Sequence, residues 1–202
     1  MCVAGTWAGL LILAWRRKAI RIGMLLFPFL LAIPFCLPGP HMKESEVRDD
    51  YVRRMLKLAG TKYVWGGESS RRIDCSGLPR RALRDSLLVY GLRHGNGAAF
   101  RVYLEQWWFD ASAKALGDGY RNYTKPIGLS GTIREMDYRS LLPGDLAVTL
   151  SGIHVLVYAG EGRWLQADPG IGRVVLLNGR EDDNGWFNTP VTAHRWQILS
   201  QP

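Results

Sequence analysis

Cys75 lies at a position in the sequence that suits a reactive thiol. In residues 60–77 an aromatic run ends in two glycines, a polar loop of serine and arginine follows, and a DCSG segment then leads into a helical pattern. Unpaired amides and the positive end of the helix macrodipole would face the sulfur and favour the thiolate. Nearby arginines would act in the same direction, namely Arg71, Arg72, Arg80 and Arg81. These features predict a nucleophile, and a small buried apolar residue is the alternative.

A thiolate nucleophile requires a general base, and the chain after residue 42 offers His94, His154 and His194. His154 lies inside the most β-prone run, residues 153–159, where an imidazole needs a specific reason to be held. His94 lies in a glycine turn, and His194 lies near the end of the chain. A histidine in a strand is more often structural when considered alone, but its occurrence together with an isolated cysteine favours catalysis. We therefore predict His154 as the base.

The imidazole in turn requires an acceptor that orients it. If residues 160–162 form a three-residue hairpin loop, Leu156 faces Gln166 and His154 faces Asp168. Side chains alternate along strands, so His154, Gln166 and Asp168 then share one face of the sheet. Either Gln166 or Asp168 could accept a hydrogen bond from the ring. A glutamine would orient the ring without adding charge, whereas an aspartate would also raise its basicity.

Helical periodicity occupies the first half of the chain after residue 42, and β-prone runs occupy the second half. Three helices are predicted, at residues 43–60 with Ser45 as the N-cap, at 78–91 and at 100–116. Residues 120–140 are predicted to be loop with one short strand at most. The predicted strands follow at residues 146–150, 153–159, 163–168, 173–178 and 194–199. Helices followed by an antiparallel meander predict an α+β fold.

Trp107 and Trp108 form an aromatic pair at helical spacing within the third predicted helix. Aromatic residues at this spacing more often pack in a core than bind a cofactor. We therefore predict that both side chains are core residues, and the wall of a substrate cleft is the alternative.

Residues 1–42 indicate a targeting segment ahead of a domain at residues 43–202. A basic cluster at residues 16–21 precedes an apolar run at residues 22–37, and the segment contains no acidic residue. A membrane anchor through residues 19–37 and a cleaved export signal both fit this pattern. Either one predicts that the domain is extracytoplasmic, periplasmic or secreted, and the anchor would hold it at the inner membrane. A second apolar stretch occupies residues 7–15.

Composition and charge exclude several classes of protein. The formal net charge is +8 at pH 7, but four of the basic residues lie in the leader and no basic stripe follows, so we expect no nucleic-acid partner. No cluster of His, Cys and carboxylate residues has metal-ligand spacing, so we expect neither a metal nor a cofactor. Cys2 and Cys36 belong to the leader, which leaves Cys75 without a disulfide partner in the exported domain. The sequence does not indicate an oligomeric state.

Four sequence blocks together resemble a known family. In chain order they are YVWGG, DCSG, LLPGDLAV and HVLVYAGEGRWLQAD, within residues 59–178. Their order and spacing are similar to those of the NlpC/P60 cysteine peptidases, which are papain-like cell-wall hydrolases. The resemblance implies a papain-like fold in which N-terminal helices pack on a central antiparallel β-sheet.

The same resemblance assigns roles to individual residues. It implies that Cys75 is the nucleophile, His154 the base and Gln166 the residue that orients the base. It also implies that Tyr63 contributes to the active-site pocket, and that Asp74 and Ser76 help to recognise the amino end of the substrate. The sequence departs from the family pattern at three places, which are Gln166 in a position that is most often histidine, Pro79–Arg80 after the DCSGL segment, and the long segment 95–140.

The activity implied is hydrolysis of peptidoglycan stem peptides, at the γ-D-glutamyl-diamino-acid bond or a nearby amide. Two other functions stay open. One is a papain-like amidase or acyltransferase that acts on a lipid or protein amide, and the other is a catalytically silent module that binds the cell wall. We expect Gln166→Ala to lower turnover far more than Asp168→Ala.

Overall fold

A computed structural model describes residues 17–200, together with residues 5, 6 and 9. Within residues 17–200, helices dominate the first half of the chain and strands the second. The α-helices are α1 (Lys18–Cys36), α2 (Glu44–Leu56), α3 (Gly77–His94), α4 (Gly97–Trp108) and α5 (Ala113–Gly117). The strands are β1 (Lys62–Tyr63), β2 (Arg72–Ile73), β3 (Thr124–Thr132), β4 (Leu146–Thr149), β5 (Val155–Gly160), β6 (Arg163–Asp168), β7 (Arg173–Asn178) and β8 (Pro190–Trp196).

All eight described strands form one sheet, in the order β2-β1-β7-β6-β5-β4-β8-β3. Neighbouring strands are antiparallel except for the short parallel pair β1 and β2. The predicted α+β class and the central antiparallel sheet are therefore confirmed.

The sheet is covered by apolar side chains on both faces. Alternate residues of a strand point to opposite faces. In β5, Val155 and Val157 accordingly pack in one cluster with Leu78 of α3 and Tyr51 of α2. Leu156 belongs to a second cluster on the other face, with Trp164, Phe187 and Ile133. Helices α2 and α3 therefore cover one face, and the loops around residues 133–141 and 185–188 cover the other.

The hairpin of β5 and β6 has the predicted register, although its loop differs. Val157 pairs with Leu165 and Tyr158 pairs with Trp164, in line with the expected placement of Leu156 opposite Gln166. The predicted loop had three residues. In the structure Gly160 pairs with Arg163, and the register shifts between Tyr158 and Gly160, so a bulge compensates for a shorter loop.

The predicted helices need three corrections. Helix α2 covers Glu44–Leu56 rather than residues 43–60, and no side-chain hydrogen bond caps its start, so Ser45 is not its N-cap. Helix α3 does not stop at Gly91 but continues to His94, and Gly95 ends it at φ 60°. Gly91 has another role, because a Cβ there would lie 3.1 Å from the Phe100 ring.

The predicted helix at residues 100–116 is two helices. Helix α4 ends at Trp108, and Ser112 accepts a side-chain hydrogen bond from the Ala115 N–H to start α5. Trp107 and Trp108 are 58% and 70% exposed, so the prediction that they are core residues is wrong.

The strand predictions need two corrections. Residues 120–140 contain a long strand, β3, at the edge of the sheet beside β8. The last strand covers Pro190–Trp196 rather than residues 194–199, and a single 3₁₀ turn, Gln197–Leu199, follows it.

Helix α1 is the predicted apolar segment, and none of its residues is buried. Its mean hydropathy is 2.1 over an 18-residue window, and its length and composition are sufficient to cross a membrane. The second apolar stretch, residues 7–15, lies outside the described residues apart from Gly9.

Candidate active site

Asp74 holds the start of α3 against the glycine turn that precedes it. Its Oδ1 accepts from the Gly77 N–H at 2.6 Å and from the Ser76 hydroxyl at 3.1 Å. Its Oδ2 accepts from the Gly66 N–H at 2.8 Å. Gly66 has φ 70°, and a Cβ at Gly77 would collide with the carbonyl oxygen of Gly67. The glycines and the aspartate thus fix the loop-to-helix junction at which Cys75 lies, as the sequence predicted.

Cys75 contacts the backbone on either side of His154. Its Sγ lies 3.9 Å from the carbonyl oxygen of Ile153, and the Val155 N–H is close enough to lower the pKa of the thiol. Because β5 begins at Val155, the Cys75 sulfur at the start of α3 lies next to the first residue of this strand. The predicted nucleophile and the backbone of the predicted base are therefore neighbours.

The Cys75 thiol is neutral in the free protein, which contradicts the expectation of a stable thiolate. Burial raises its pKa to about 11, and the charge of Asp74 adds to the increase. Hydrogen bonds from the backbone amides of Val155, Ser76 and Cys75 act in the opposite direction but are weaker. The backbone amides at the helix start thus do lower the pKa of the thiol. Burial raises this pKa by more, because a charged sulfur is costly away from water.

The arginines of α3 near the sulfur do not compensate for this cost, because carboxylates neutralise them. The Arg80 side chain is only 4% exposed and forms ion pairs with Glu68 and Asp110. Two further arginines on α3 are also paired, Arg84 with Glu68 at 2.9 Å and Arg81 with Asp85 at 2.7 Å.

A cavity of about 380 Å³ opens beside the sulfur. Of the predicted site residues, Cys75, Asp74 and Ser76 line it, and Tyr63, His154 and Gln166 do not. The rest of its lining comes chiefly from the glycine turn with Trp65, from the Arg80 network and from the loop that carries Gly152 and Ile153. Its charged lining is mostly acidic, with Glu68, Asp74 and Asp110 beside the single arginine Arg80.

His154 and Gln166 are in direct contact behind this cavity. Nε2 of the imidazole lies 2.7 Å from Oε1 of Gln166, and both side chains are buried. Since a glutamine oxygen only accepts, Nε2 carries the proton and Nδ1 is the ring nitrogen with the free lone pair. Gln166 Nε2 is buried and has no hydrogen-bond partner within residues 17–200. An amide left unpaired in a core costs about 1–3 kcal/mol, so a role in orienting the ring explains this glutamine better than stability does.

Burial also keeps the His154 imidazole neutral. It lowers the pKa of His154 to about 4, although the hydrogen bond to Gln166 and the charge of Asp168 both raise it. The free site therefore combines a neutral thiol with a neutral imidazole at neutral pH.

Trp186 covers the imidazole, and this contact was not predicted from the sequence. Its ring stacks on that of His154 at 4.1 Å between centroids and 20° between planes. It lies in the 3₁₀ turn Gly185–Asn188, and its own backbone N–H donates to the Asn184 side chain at 3.0 Å. An asparagine followed by glycine and tryptophan is a recognisable turn start, but its position over His154 depends on the tertiary fold.

Asp168 does not bond the imidazole. Its Oδ1 accepts from the amides of Gly170 and Ile171 at 2.7 and 3.0 Å, and its Oδ2 accepts from Asn184 Nδ2 at 2.8 Å. Because Asn184 also caps the turn that carries Trp186, Asp168 acts on His154 through its charge and through this turn.

Thr149 fixes the backbone of His154. Its Oγ1 accepts from the His154 N–H at 3.1 Å, and its own N–H donates to the His154 carbonyl oxygen at 3.1 Å. Ser151 donates to the same Oγ1 at 3.2 Å. Residues 150–153 thus form a short loop whose two ends are tied together.

Tyr63 is close to the nucleophile although it does not line the cavity. Burial raises the pKa of its phenol, and the nearby Cys75 and Asp74 raise it further. Within residues 17–200, no group of three or more His, Cys, Asp or Glu side chains is placed to hold a metal ion.

Comparison with known families agrees with this architecture. A family model described as the NlpC/P60 family matches residues 60–186. The chain belongs to the NlpC/P60 family. The match begins at Gly60, two positions before β1, and ends at Trp186, so it includes Cys75, His154, Gln166 and the tryptophan that stacks on His154. No curated protein matches the chain.

Solved structures of other NlpC/P60 proteins have a similar fold. NlpC1 from Trichomonas vaginalis aligns with a TM-score of 0.50 and 18% identity over 75% of this chain and 44% of that one. NlpC2 from the same organism gives 0.49 and 19% over 75% of this chain and 47% of that one. The peptidoglycan hydrolase RipB from Mycobacterium tuberculosis gives 0.46 and 20% over 76% and 67%. The chain thus spans less than half the length of the two Trichomonas vaginalis proteins, and these likenesses concern the fold alone.

The buried histidine of this NlpC/P60 protein should make its stability depend on pH. Unfolded His154 has an ordinary pKa near 6.5, whereas the folded value is about 4, so the unfolded chain binds an extra proton between these values. The contribution of His154 to the stability of the folded protein is complete above pH 6.5 and is lost as the pH falls to 4. A shift of this size corresponds to about 3 kcal/mol of unfolding free energy.

Urea denaturation at pH 7 and pH 4 measures this effect. The unfolding free energy should differ between the two pH values by about 3 kcal/mol less in His154→Gln than in the wild type. His41→Gln is the matched control, because His41 is exposed. An unchanged difference in His154→Gln would show that His154 is not buried as a neutral base.

Proposed function

We propose that this protein is a cysteine peptidase that hydrolyses an amide bond in peptidoglycan stem peptides, the γ-D-glutamyl-diamino-acid bond or one close to it. Cys75, His154 and Gln166 form its triad. The observation that carries the proposal is the 2.7 Å hydrogen bond between His154 Nε2 and Gln166 Oε1, at a strand end whose backbone contacts the Cys75 sulfur. Membership of the NlpC/P60 family supports the class of reaction.

Acylation starts from two neutral groups, so proton transfer and attack are coupled. His154 Nδ1 takes the thiol proton as the sulfur attacks the substrate carbonyl, and Gln166 accepts from Nε2–H and keeps the required tautomer. The charge that develops on the carbonyl oxygen is stabilised by the Cys75 N–H at the start of α3 and by the Tyr63 hydroxyl. The C–N bond then breaks, and the amine leaves with the proton from His154.

Deacylation uses the same base. A water molecule gives a proton to His154 Nδ1 as its oxygen attacks the thioester, and the C–S bond breaks with return of the proton to the sulfur. The products are a free amine and a free carboxylic acid, so one water is consumed in each cycle. None of these steps requires a metal or a cofactor.

The acidic lining of the cavity supports binding of a substrate with a free amino group. Asp74 and Ser76 flank Cys75 in the sequence, and Glu68 and Asp110 line the same cavity. Arg80 and Arg84 pair with Glu68 and Asp110, which leaves Asp74 without an ion-pair partner among the cavity-lining residues, so the cavity favours a cation near Asp74. An N-terminal ammonium group of a stem peptide meets this requirement, and it would lie on the side of Asp74.

The apolar helix α1 supports an extracytoplasmic location. Basic residues precede it, including Arg16 and Arg17, and the positive-inside rule puts such residues in the cytoplasm. The domain that follows would then face the cell wall, where the proposed substrate occurs.

Digestion of purified muropeptides tests the proposal. The full-length protein in detergent is incubated with muropeptides of defined stem length, and the products are identified by mass spectrometry. We expect two fragments whose summed mass exceeds that of the substrate by one water. The same reaction with an added primary amine separates hydrolysis from acyl transfer, because a transferase would yield an amide of that amine. Intact substrate in all reactions would contradict both activities and support a silent wall-binding module.

A further inference from the structure

Helix α4 carries an exposed apolar stripe formed by Leu104, Trp107 and Trp108. These side chains are 42%, 58% and 70% exposed. The opposite side of α4 is buried against the domain through Ala99 and Gln106, whereas Phe100, four positions before Leu104, packs against the Phe35 ring at the end of α1. Tryptophan side chains exposed in this way cost free energy in water, so a contiguous set of them indicates a surface that contacts something apolar.

The stripe begins where α1 meets the domain. Nη1 of Arg101 donates to the carbonyl oxygens of Phe35 and Leu37 at 2.8 and 3.2 Å. The last turn of α1 has no basic residue of its own, so Arg101 supplies both the hydrogen bonds and the charge that the end of a helix requires. Leu104 and Trp108 lie three and seven positions after Arg101, and these spacings put them on the same side of α4.

The segment between α1 and α2 is packed against the start of α4. The Gly97 N–H donates to the Pro38 carbonyl at 3.0 Å, and Nδ2 of the buried Asn96 donates to the Pro40 carbonyl at 2.8 Å. A Cβ on Gly97 would collide with the Leu37 carbonyl, and a Cβ on Gly39 would collide with Ala98. This segment is therefore a fitted connection, and a loose tether or a cleavage site would not need such contacts.

The dimensions of the two helices suit one bilayer surface. Helix α1 has 19 residues and a length of about 28 Å, close to the roughly 30 Å hydrocarbon core of a membrane. The stripe ends seven residues beyond Arg101, about 10 Å along α4. The polar interfacial layer on each side of a bilayer is about 5–8 Å thick. A helix that leaves the end of α1 at a shallow angle would keep the stripe within this layer.

We propose that α1 is retained as a membrane span and that the α4 stripe rests in the interfacial region of the same bilayer, so that the partner of this surface is a phospholipid membrane. Trp107 and Trp108 then act as interfacial anchors, because their rings are apolar and their indole N–H groups can bond headgroups. The acidic residue of α4, Glu105, is paired with Arg121 at 3.0 Å, which lowers the cost of its approach to lipid.

This arrangement holds the catalytic cavity at one height and one orientation above the membrane. With α1, its connection and α4 joined by hydrogen bonds, the domain has two contacts with the bilayer instead of one. The reach of Cys75 into the wall is then limited to the layer next to the membrane.

Quenching of tryptophan fluorescence by brominated lipids tests the proposal. Full-length protein is reconstituted in vesicles of phosphatidylcholine and phosphatidylglycerol, with bromine on acyl-chain carbons close to the headgroup. In a Trp7→Tyr/Trp15→Tyr background, which removes the tryptophans that precede α1 in the sequence, we expect quenching and the loss of most of it when Trp107→Tyr/Trp108→Tyr is added. Trp65→Tyr is the matched control, because Trp65 is 81% exposed but lies outside the stripe, and its addition should keep the quenching of the background.

Equal quenching with and without Trp107→Tyr/Trp108→Tyr in this background would overturn the proposal. An intact mass that shows loss of α1 from the membrane-extracted protein would also overturn it. The single change Trp108→Tyr in the same background, with partial loss of quenching, provides a second test if the protein with both changes in α4 does not fold. None of these readouts depends on catalysis, so a failure here is separate from a failure of the proposed peptidase activity.

Discussion

Replacement of Cys75 with alanine is expected to abolish release of fragments from muropeptides, with a loss of about 10⁴-fold or more in kcat, because the thioester cannot form without the sulfur. The side chain is small and 6% exposed, so alanine should fit the site with little change in the fold. The measurement is the rate of product formation under saturating substrate.

Cys36→Ala is the matched control, since Cys36 is an exposed cysteine in α1 and should leave the rate unchanged. Iodoacetamide provides an independent readout. Labelling of Cys75 should increase as the pH rises toward 11, because the thiol is neutral at lower pH. A Cys75→Ala protein that still releases fragments would show that another group attacks the substrate.

The second large effect is expected from Gln166→Ala, which should lower kcat by about 10²-fold, at the lower end of what general base catalysis contributes. The variant removes the acceptor that lies 2.7 Å from His154 Nε2 and lets the ring rotate or change tautomer. Asp168→Ala should have a smaller effect on kcat, because the Asp168 oxygens bond backbone amides and Asn184. Its main effect should be on stability, through the turn that carries Trp186.

The variant Gln166→His tests whether the loss of kcat in Gln166→Ala comes from the orientation of the His154 ring or from a change in folding. An imidazole at this position can also accept from Nε2–H, and histidine is the residue that the family resemblance gives there. We therefore expect Gln166→His to recover most of the turnover that Gln166→Ala loses, at similar thermal stability. A larger loss of kcat in Asp168→Ala than in Gln166→Ala would show that the aspartate orients the base.

The hairpin that follows His154 was predictable from local sequence. Alternation of apolar residues in the β5 and β6 segments, with a glycine-rich turn between them, fixes which residues share a face. The register of Val157 with Leu165 and of Tyr158 with Trp164 follows from this pattern. The placement of Gln166 beside His154 follows in turn.

Other elements were not predictable, because their sequence signals conflict with their structure. Strand β3 contains Pro126, Gly128 and Gly131, which are unfavourable in the interior of a sheet. It is an edge strand paired with β8, with a register shift between Pro126 and Ser130, so these residues are tolerated. The exposure of Trp107 was missed because helical spacing does not show which side of a helix is covered.

The ionisation of Cys75 shows a similar limit. The helix start and the arginines are visible in the sequence, and both would lower the pKa of the thiol. The tertiary fold buries the sulfur and pairs Arg80 with carboxylates distant in the sequence. Burial raises the pKa of the thiol above its ordinary value, and the paired Arg80 does not offset this increase. Trp186 belongs to the same category, because its contact with His154 joins residues 32 positions apart.

The paired hydrogen bonds between Thr149 and the His154 backbone fix the position of His154 independently of the loop that forms part of the cavity wall. Residues 150–153 lie between these anchor points, and Gly152 and Ile153 form part of the cavity wall. Insertions or substitutions in this loop would reshape the rim without displacing the imidazole. Sequence changes in this loop can therefore alter which ligands fit the cavity while the His154 backbone keeps its position.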